Sequence, residues 1–347
     1  MQLSVIIPAY NVGKTIQRCL LSLDSALKLA NIKYEIIVVD DSSTDDTAKV
    51  VRKIAKKKPE VSLIQPTEKV GAGGGRNVGL EQATGEFVWF VDGDDEAYVK
   101  NFKRINFEKA TEGIDVLMFR YNQVQNRKRL TEYTFNQYDE DVLRTRPSDE
   151  FTVLEFPPIL SVTHATWTKW VRREFLLENG IDFPPKLIHQ DFPWNLKLLC
   201  YAKKIRLANI VLYTLYMIDS GISRINDSRK MDTLKVMKIA NEWADANIID
   251  ADVWANYYIW RSHMMLKSSN MTAHEPTKKA IFDDLVAGFR KIDVDIALKM
   301  VESEFLYEDL KKLLMEEKGM NYGVALKILG FFNKLRKFKF IHRSEKT

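Results

Sequence analysis

The stretch FVWFVDGDDE, Phe87 to Glu96, decides how the chain is read. Its five apolar residues run without a break and then give way to Asp92, Asp94, Asp95 and Glu96, with only Gly93 between them. Such a run predicts a strand buried on both faces, as in a parallel sheet covered by helices. Carboxylates this close raise one another's pKa unless a cation holds them together. Oxygen ligands suit a hard ion, Mg²⁺ or Mn²⁺, commonly bound by one or two carboxylates plus substrate phosphates. A solvated acidic turn fits the same spacing, and both readings stay open on the residues alone.

Working outward, LSVIIPAYN (Leu3 to Asn11) predicts a strand that stops at Pro8. Thr15 to Leu29 follows as a helix with Ile16, Leu20, Leu23 and Leu27 on one stripe. YEIIVVDDSSTDDT gives a second strand that ends in Asp40 and Asp41, then a helix from Ala48 to Ala55. VSLIQP is a third short strand, and GAGGGRNVGL opens a helix running to about Thr84. This β-α-β-α-β-α-β alternation predicts an α/β fold with a doubly wound, mostly parallel sheet. Ligands of such sheets bind beyond the carboxyl ends of the strands. Those ends carry Tyr10 and Asn11, Asp40 and Asp41, and Asp92 to Asp95. Asp40 and Asp41 are placed to accept hydrogen bonds from a nucleobase or ribose, or else to cap the next helix. GAGGGRNVG invites a rival reading as a dinucleotide fingerprint, but Arg76 stands where a glycine is wanted. Glycines with Arg76 at a helix start still suit phosphate or base contact.

The middle of the chain mixes elements. DVLMFRYNQV and IVLYTLYMI read as strands, WTKWVRREFLLENG as a helix closed by Gly180. Beyond Arg224, Lys230–Ala246, Trp254–Ser268, Thr277–Ile292 and Phe305–Glu316 are helical in pattern, so the C-terminal region is expected to be α-helical.

At 347 residues, with 46% hydrophobic and 29% charged residues, the composition is that of an ordinary globular protein. Cys19 and Cys200 alone make no disulfide scaffold, and a reducing cytosolic compartment is expected. The start is too quickly polar for a signal peptide, and no apolar run reaches the roughly 18 residues of a membrane span. From Lys327 to Thr347 seven Lys or Arg face one acid, which leaves the first 326 residues at −1 of an overall +5. The basic excess belongs to one end, and a body built for nucleic acid is not expected. That tail reads as an amphipathic helix, with Phe331, Phe332, Leu335 and Phe338 opposite its lysines. It could lie on the anionic inner face of a membrane, or dock on its own domain. Five histidines without His-x-His spacing make a transition-metal site at His164 or His189 improbable.

SVIIPAYN, EIIVVDDSSTDDT, GGGRNVGL, GEFVWFVDGDD and WTKWVRREFLLENGIDFPPKLIHQDFPW resemble, in order, the successive motifs of family 2 glycosyltransferases. The resemblance covers roughly residues 1 to 224 and implies the GT-A fold. It divides the chain into a nucleotide-sugar-binding half (1–100), an acceptor-binding half (101–225) and a helical region (226–347). It implies a sugar moved from a nucleotide-sugar donor, leaning toward UDP, to the hydroxyl of a carbohydrate or lipid-linked acceptor, with inversion and a divalent metal. In its terms Asp41 contacts the base, with Arg76, Gly71 and the turn Pro8, Tyr10 and Asn11 beside it. Asp40 and Gly93 belong to the same donor site, and Asp92 and Asp94 meet ribose and metal. Asp191 is the catalytic base. Inverting transfer needs no enzyme nucleophile, which suits a chain with no Ser-His-Asp or Cys-His arrangement. Trp167, Lys169 and Trp194 are expected at the acceptor, unless the two tryptophans are core residues. Gln190 replaces the family's usual Glu, and Gly73 to Gly75 replace small residues with side chains. Met217 takes the place of a basic residue, for which Ser223 and Arg224 could compensate at the diphosphate. The C-terminal helices could also support a homo-oligomer. The rivals are a nucleotidyltransferase that makes nucleotide sugars and an NAD-linked oxidoreductase.

Overall fold

The computed structural model describes residues 1–125, 128–131, 137–217 and 227–290, with 296, 297 and 299. Two compact units emerge. The first holds the described residues of Met1–Phe156 and Val162–Asp219, and the second holds Pro157–Ser161 with the described residues beyond Ser220.

In the first unit the elements follow as β1 (Leu3–Ala9), α1 (Ile16–Leu29), β2 (Tyr34–Asp40), α2 (Thr47–Ala55), β3 (Val61–Ile64), α3 (Gly71–Gln82) and β4 (Phe87–Phe90). Then come β5 (Glu96–Ala97), α4 (Val99–Phe102), α5 (Phe107–Thr111), β6 (Val116–Gln125), β7 (Lys128–Thr131), α6 (Gln137–Arg144) and β8 (Glu150–Phe151). The unit closes with β9 (Lys169–Arg172), α7 (Arg173–Glu178), α8 (Asp191–Tyr201) and β10 (Ile205–Met217). One sheet orders them β3-β2-β1-β4-β9-β6-β10-β5, with β7 beside β6 and β8 beside β10. β3, β2, β1 and β4 run parallel, β9 runs against both its neighbours, and β6 and β10 are again parallel. The fold is α/β with a mostly parallel central sheet. Its core is aromatic: Trp89 packs edge-on against Phe119, Trp170 and Tyr213.

Two expectations are corrected. β1 does not stop at Pro8 but runs through it to Ala9, in register with Val39 and Asp40. Ala9 faces β2, where its carbonyl accepts from Asp41 N–H, so Pro8 faces β4. Pairing with β4 has ended at Ile6, so the N–H that proline lacks has no strand to meet there. WTKWVRREFLLENG is not one helix. It makes a 3₁₀ turn (Thr166–Thr168), then β9, and only Arg173–Glu178 is α-helical. The segment fills the gap between β4 and β6 and hydrogen-bonds on both edges. Extended backbone there also sends Trp170 into the core against Trp89 and Phe119. Tertiary context outweighs a helical pattern of this length.

The second unit is helical: α9 (Asp232–Asn247), α10 (Ala251–Met271) and α11 (Glu275–Arg290), with the 3₁₀ turns Pro157–Ser161 and Ser228–Met231. Inside it Arg261 is buried against Asp284 at 2.8 Å, and Asp250 caps α10 through the N–H groups of Asp252 and Val253. Among the described residues no helix is long and apolar enough to cross a membrane.

Candidate active site

The carboxyl ends of β1, β2 and β4 lie side by side, because those strands are neighbours in the sheet. Asp41, just past β2, is buried, and its two carboxylate oxygens accept the N–H groups of Val70 and Gly71 at 2.7 and 3.0 Å. It thereby fastens the first turn of α3, where Gly71 has φ +74°, a value a side chain would strain. Asp40 is different from what was expected. It is fully buried and accepts from Ser43 N–H at 3.2 Å and Gln65 Nε2 at 2.8 Å, so it shapes the turn and does not reach the crevice. Asn11 (φ 54°) ties β1 to the same turn, its amide oxygen accepting from Thr44 N–H at 2.8 Å. Tyr10 stands 47% exposed, with Lys69 Nζ 3.6 Å from its ring centre.

Arg76, on α3, is only 6% exposed and pairs with Asp92 at 2.8 Å. Its Nε and Nη1 are buried without a hydrogen bond, a cationic edge left for an anion or a base carbonyl. Past β4, Asp95 is locked away: Tyr213 Oη and Tyr216 N–H both donate to it at 2.7 Å. Burial, then the charges of Asp94 and Asp92, push its carboxyl well above the usual range. Asp94 is raised to about 6, chiefly by burial and next by Asp92. Arg18 braces this loop, giving Nη2 to the Asp94 carbonyl at 2.6 Å and Nε to Glu96 at 2.5 Å while lying over Tyr216. Gly93, expected in the donor site, also has a packing role. A Cβ there would lie 3.2 Å from both Ile16 and Val12, so the missing side chain makes room for the start of α1.

Among the described residues no three His, Cys, Asp or Glu side chains form a metal cage. Asp92 and Asp94 offer oxygen donors of the kind that would hold a hard divalent ion. Asp94 is poorly stabilised as an anion where it stands, and a cation would relieve that.

Asp191 opens α8, and the loop before it lies directly on the glycine face of α3. A Cβ on Gly73 would stand 2.7 Å from the Pro184 carbonyl, and one on Gly71 3.0 Å from Lys186 Cα. On the other side Gly75 faces Pro8 and Gly79 faces Ile6. Asn77 clips the loop in place: its Nδ2 donates to the Phe183 carbonyl at 2.8 Å, and its Oδ1 accepts Phe183 N–H at 3.0 Å. The departure to three glycines thus has a steric cause. α3 carries Arg76 against Asp92 on one side and the loop before Asp191 on the other, and Asp41 holds its start.

The three residues expected at an acceptor are placed otherwise. Trp194 has no exposed surface and stacks on Phe183 at 4.8 Å, while Trp167 stacks on Tyr213 at 4.6 Å. With those faces covered, both tryptophans are core residues. Lys169 is fully buried, its ammonium held by the carbonyls of Thr163 and Ala165 and by Thr168 Oγ1. Ser223, Arg224 and the tail from Lys327 lie outside the described residues. His164, Arg18, Lys69 and Asn77 were not singled out as site residues from the sequence. Asn77 sat inside the glycine motif, read there for its glycines; Lys69, His164 and Arg18 act through side-chain contacts with residues distant in sequence, which spacing does not reveal.

This α/β fold with acids at its strand ends is similar to that of known glycosyltransferases. The glycosyl transferase family 2 profile matches residues 4–179, and the chain belongs to that family of glycosyltransferases. It is 32% identical over 232 residues to the uncharacterized glycosyltransferase YibD of Escherichia coli, covering 65% of this chain and 64% of that protein. It is 35% identical over 188 residues to the poly(ribitol-phosphate) beta-N-acetylglucosaminyltransferase TarS of Staphylococcus aureus, covering 54% of this chain but 30% of TarS. The fold matches the crystal structure of TarS 1-349 in complex with UDP-GlcNAc at TM-score 0.58 and 21% identity, over 99% of this chain and 92% of that one. It also matches the mannosyltransferase PcManGT of Pyrobaculum calidifontis, solved with GDP-Man and Mn²⁺, at TM-score 0.53 and 17% identity, over 91% and 88% of the two chains.

Proposed function

We propose that this glycosyltransferase is a metal-dependent inverting enzyme that moves a sugar from a nucleotide-sugar donor, a UDP-sugar in the first instance, to a hydroxyl of a surface polysaccharide or glycolipid acceptor. The observation that supports this best is the placing of Arg76, with two unbonded buried nitrogens, between Asp41, Asp92 and the loop that carries Asp191. Asp41 and Arg76 orient the base, Tyr10 lies along its face, and Asp92 holds the ribose. Asp92 and Asp94 would hold Mn²⁺ or Mg²⁺, which when bound neutralises charge developing on the diphosphate. Asp191 takes the proton of the acceptor hydroxyl as that oxygen bonds to the anomeric carbon, and the electron pair of the breaking bond leaves with the diphosphate. The poly(ribitol-phosphate) acceptor in the name of TarS favours a glycan acceptor. The free state of Cys19 and Cys200 favours work in a reducing compartment, and the basic tail favours contact with an anionic membrane from that side.

The test is a thermal-shift panel of UDP, GDP, dTDP, CMP and NAD, each with Mn²⁺ and with chelator. A shift for one nucleoside diphosphate that vanishes with chelator supports the reading. A shift for NAD that ignores chelator refutes it.

A further inference from the structure

His164 stands beside Asp191, with Nε2 3.5 Å from Oδ2 and its ring edge-on to Phe192 at 6.1 Å. The backbone on either side of this histidine is held from beneath by two buried charged groups. Asp139, on α6, accepts Thr163 N–H at 3.2 Å. Lys169, on β9, donates to the carbonyls of Thr163 at 3.4 Å and Ala165 at 3.0 Å and to Thr168 Oγ1 at 3.1 Å. Both side chains are buried, Lys169 completely.

A buried ammonium is expensive, and an apolar side chain of the same length would fill the space at lower cost. Burial holds the Lys169 amine down to about 7, while the nearby charges of Asp191 and Asp139 act to raise it. All of its hydrogen bonds named above go to the turn around His164, so its position fixes that turn. A short turn clamped by side chains from two other elements is more constrained than a connection needs to be.

We propose that His164 is the positioning partner of Asp191, aimed by the Lys169 and Asp139 clamp so that its Nε2–H holds Oδ2 and leaves Oδ1 for the acceptor hydroxyl. The inference rests on Asp191 being the base. It adds no step to the transfer: the acceptor proton still goes to Asp191, and the histidine sets which oxygen receives it. An unbraced carboxylate at the start of a helix would sample several rotamers, and bracing one oxygen removes that freedom.

The chain has five histidines, so long-range ¹H–¹⁵N spectra of the full protein can separate the rings, with His164→Gln assigning the signal. At about pH 8, above the ordinary histidine pKa, His164 is expected with Nε2 protonated, and Asp191→Asn is expected to move its ring signals. Protonation on Nδ1 instead, or signals indifferent to Asp191→Asn, would overturn the proposal. In parallel, UDP release from UDP-GlcNAc and UDP-glucose with Mn²⁺ is measured together with the Kd for UDP. His164→Ala should lower kcat on the order of tenfold to a hundredfold with the UDP Kd unchanged, and His164→Gln, which keeps an N–H in reach, should recover most of it. A kcat within about twofold of wild type for His164→Ala, or a parallel loss of UDP affinity, sinks the inference. Asp191→Asn separates the two readings. Full turnover in that variant rejects Asp191 as base, whereas turnover lost there but kept in His164→Ala rejects only the role of His164.

Discussion

Replacing Gly73 by alanine adds one methyl group where α3 meets the loop of Asp191. The new Cβ would lie 2.7 Å from the Pro184 carbonyl, 3.1 Å from Phe183 Cβ and 3.2 Å from Gln190 Cγ, while ordinary contact begins at 3.4 Å. The nearest atom is main chain and cannot rotate away, so the loop itself has to retreat. Overpacking of this kind costs about 1–3 kcal/mol, and the better helix propensity of alanine returns up to about 1 kcal/mol. The net loss of about 0–3 kcal/mol lowers the melting temperature by less than about 12 °C for a unit of this size. Activity should suffer more, because a displacement near 1 Å at a catalytic group can cost about a hundredfold. Gly79→Ala is the control. Its Cβ would collide with Ile6 Cγ2, on the sheet side and away from the loop, so it should lose stability and keep kcat. The assay pairs thermal denaturation with UDP release at a temperature where both variants are folded. If Gly79→Ala loses as much kcat as Gly73→Ala, or Gly73→Ala loses none, the glycine face does not position the base.

Four further outcomes are expected. Asn77→Ala removes both bonds to Phe183 and should cost about 1–3 kcal/mol, read by chemical denaturation; a loss below about 0.5 kcal/mol would mean that packing alone holds the loop. Asp94 protonates through about 6, so Mn²⁺ affinity, followed by titration calorimetry, should be full near pH 8 and fall steadily below pH 6; a flat profile would place the metal elsewhere. Around Asp24 burial acts to raise the pKa, but bonds from Lys28, Lys58 and Tyr34 outweigh it and hold the carboxyl at about 2. Its folded value is depressed, so its contribution, about 1–2 kcal/mol after screening, is present above the unfolded pKa and is lost as pH falls from about 4 to 2. Asp24→Asn should flatten the acid limb of the stability curve over that window, and an unchanged limb would dismiss the network. Deleting Lys327–Thr347 should abolish sedimentation with anionic vesicles, and equal binding by the truncated protein would rule out a membrane role for the tail.

The strand ends of the candidate site were legible in the sequence because they depend on local pattern. Apolar runs ending in acid gave β1, β2 and β4 and placed Asp41, Asp92 and Asp94 at their ends. A glycine-rich helix start gave α3. The segment from Thr163 to Trp194 was less legible because its contacts are long-range. β9 is a strand only because β4 and β6 offer it hydrogen bonds on both edges. Trp167, Lys169 and Trp194 carry side chains that suit a sugar site, and nothing in their spacing tells that Tyr213, the Thr163 carbonyl and Phe183 already occupy them. Asp40 and Asp41 are adjacent and alike in sequence. The direction of the strand separates them, turning one toward Gln65 and the other toward the start of α3.

Asp41 holds the amides of Val70 and Gly71 at the start of α3, the helix against which the Asp191 loop rests. Changing that carboxylate to suit another nucleobase would therefore also release the support of the loop. Donor preference in this scaffold should drift at the rim, at Tyr10 and Lys69, whose side chains are exposed and lie against each other. A variant library confined to those two positions should give altered donors with intact turnover far more often than one built at Asp41.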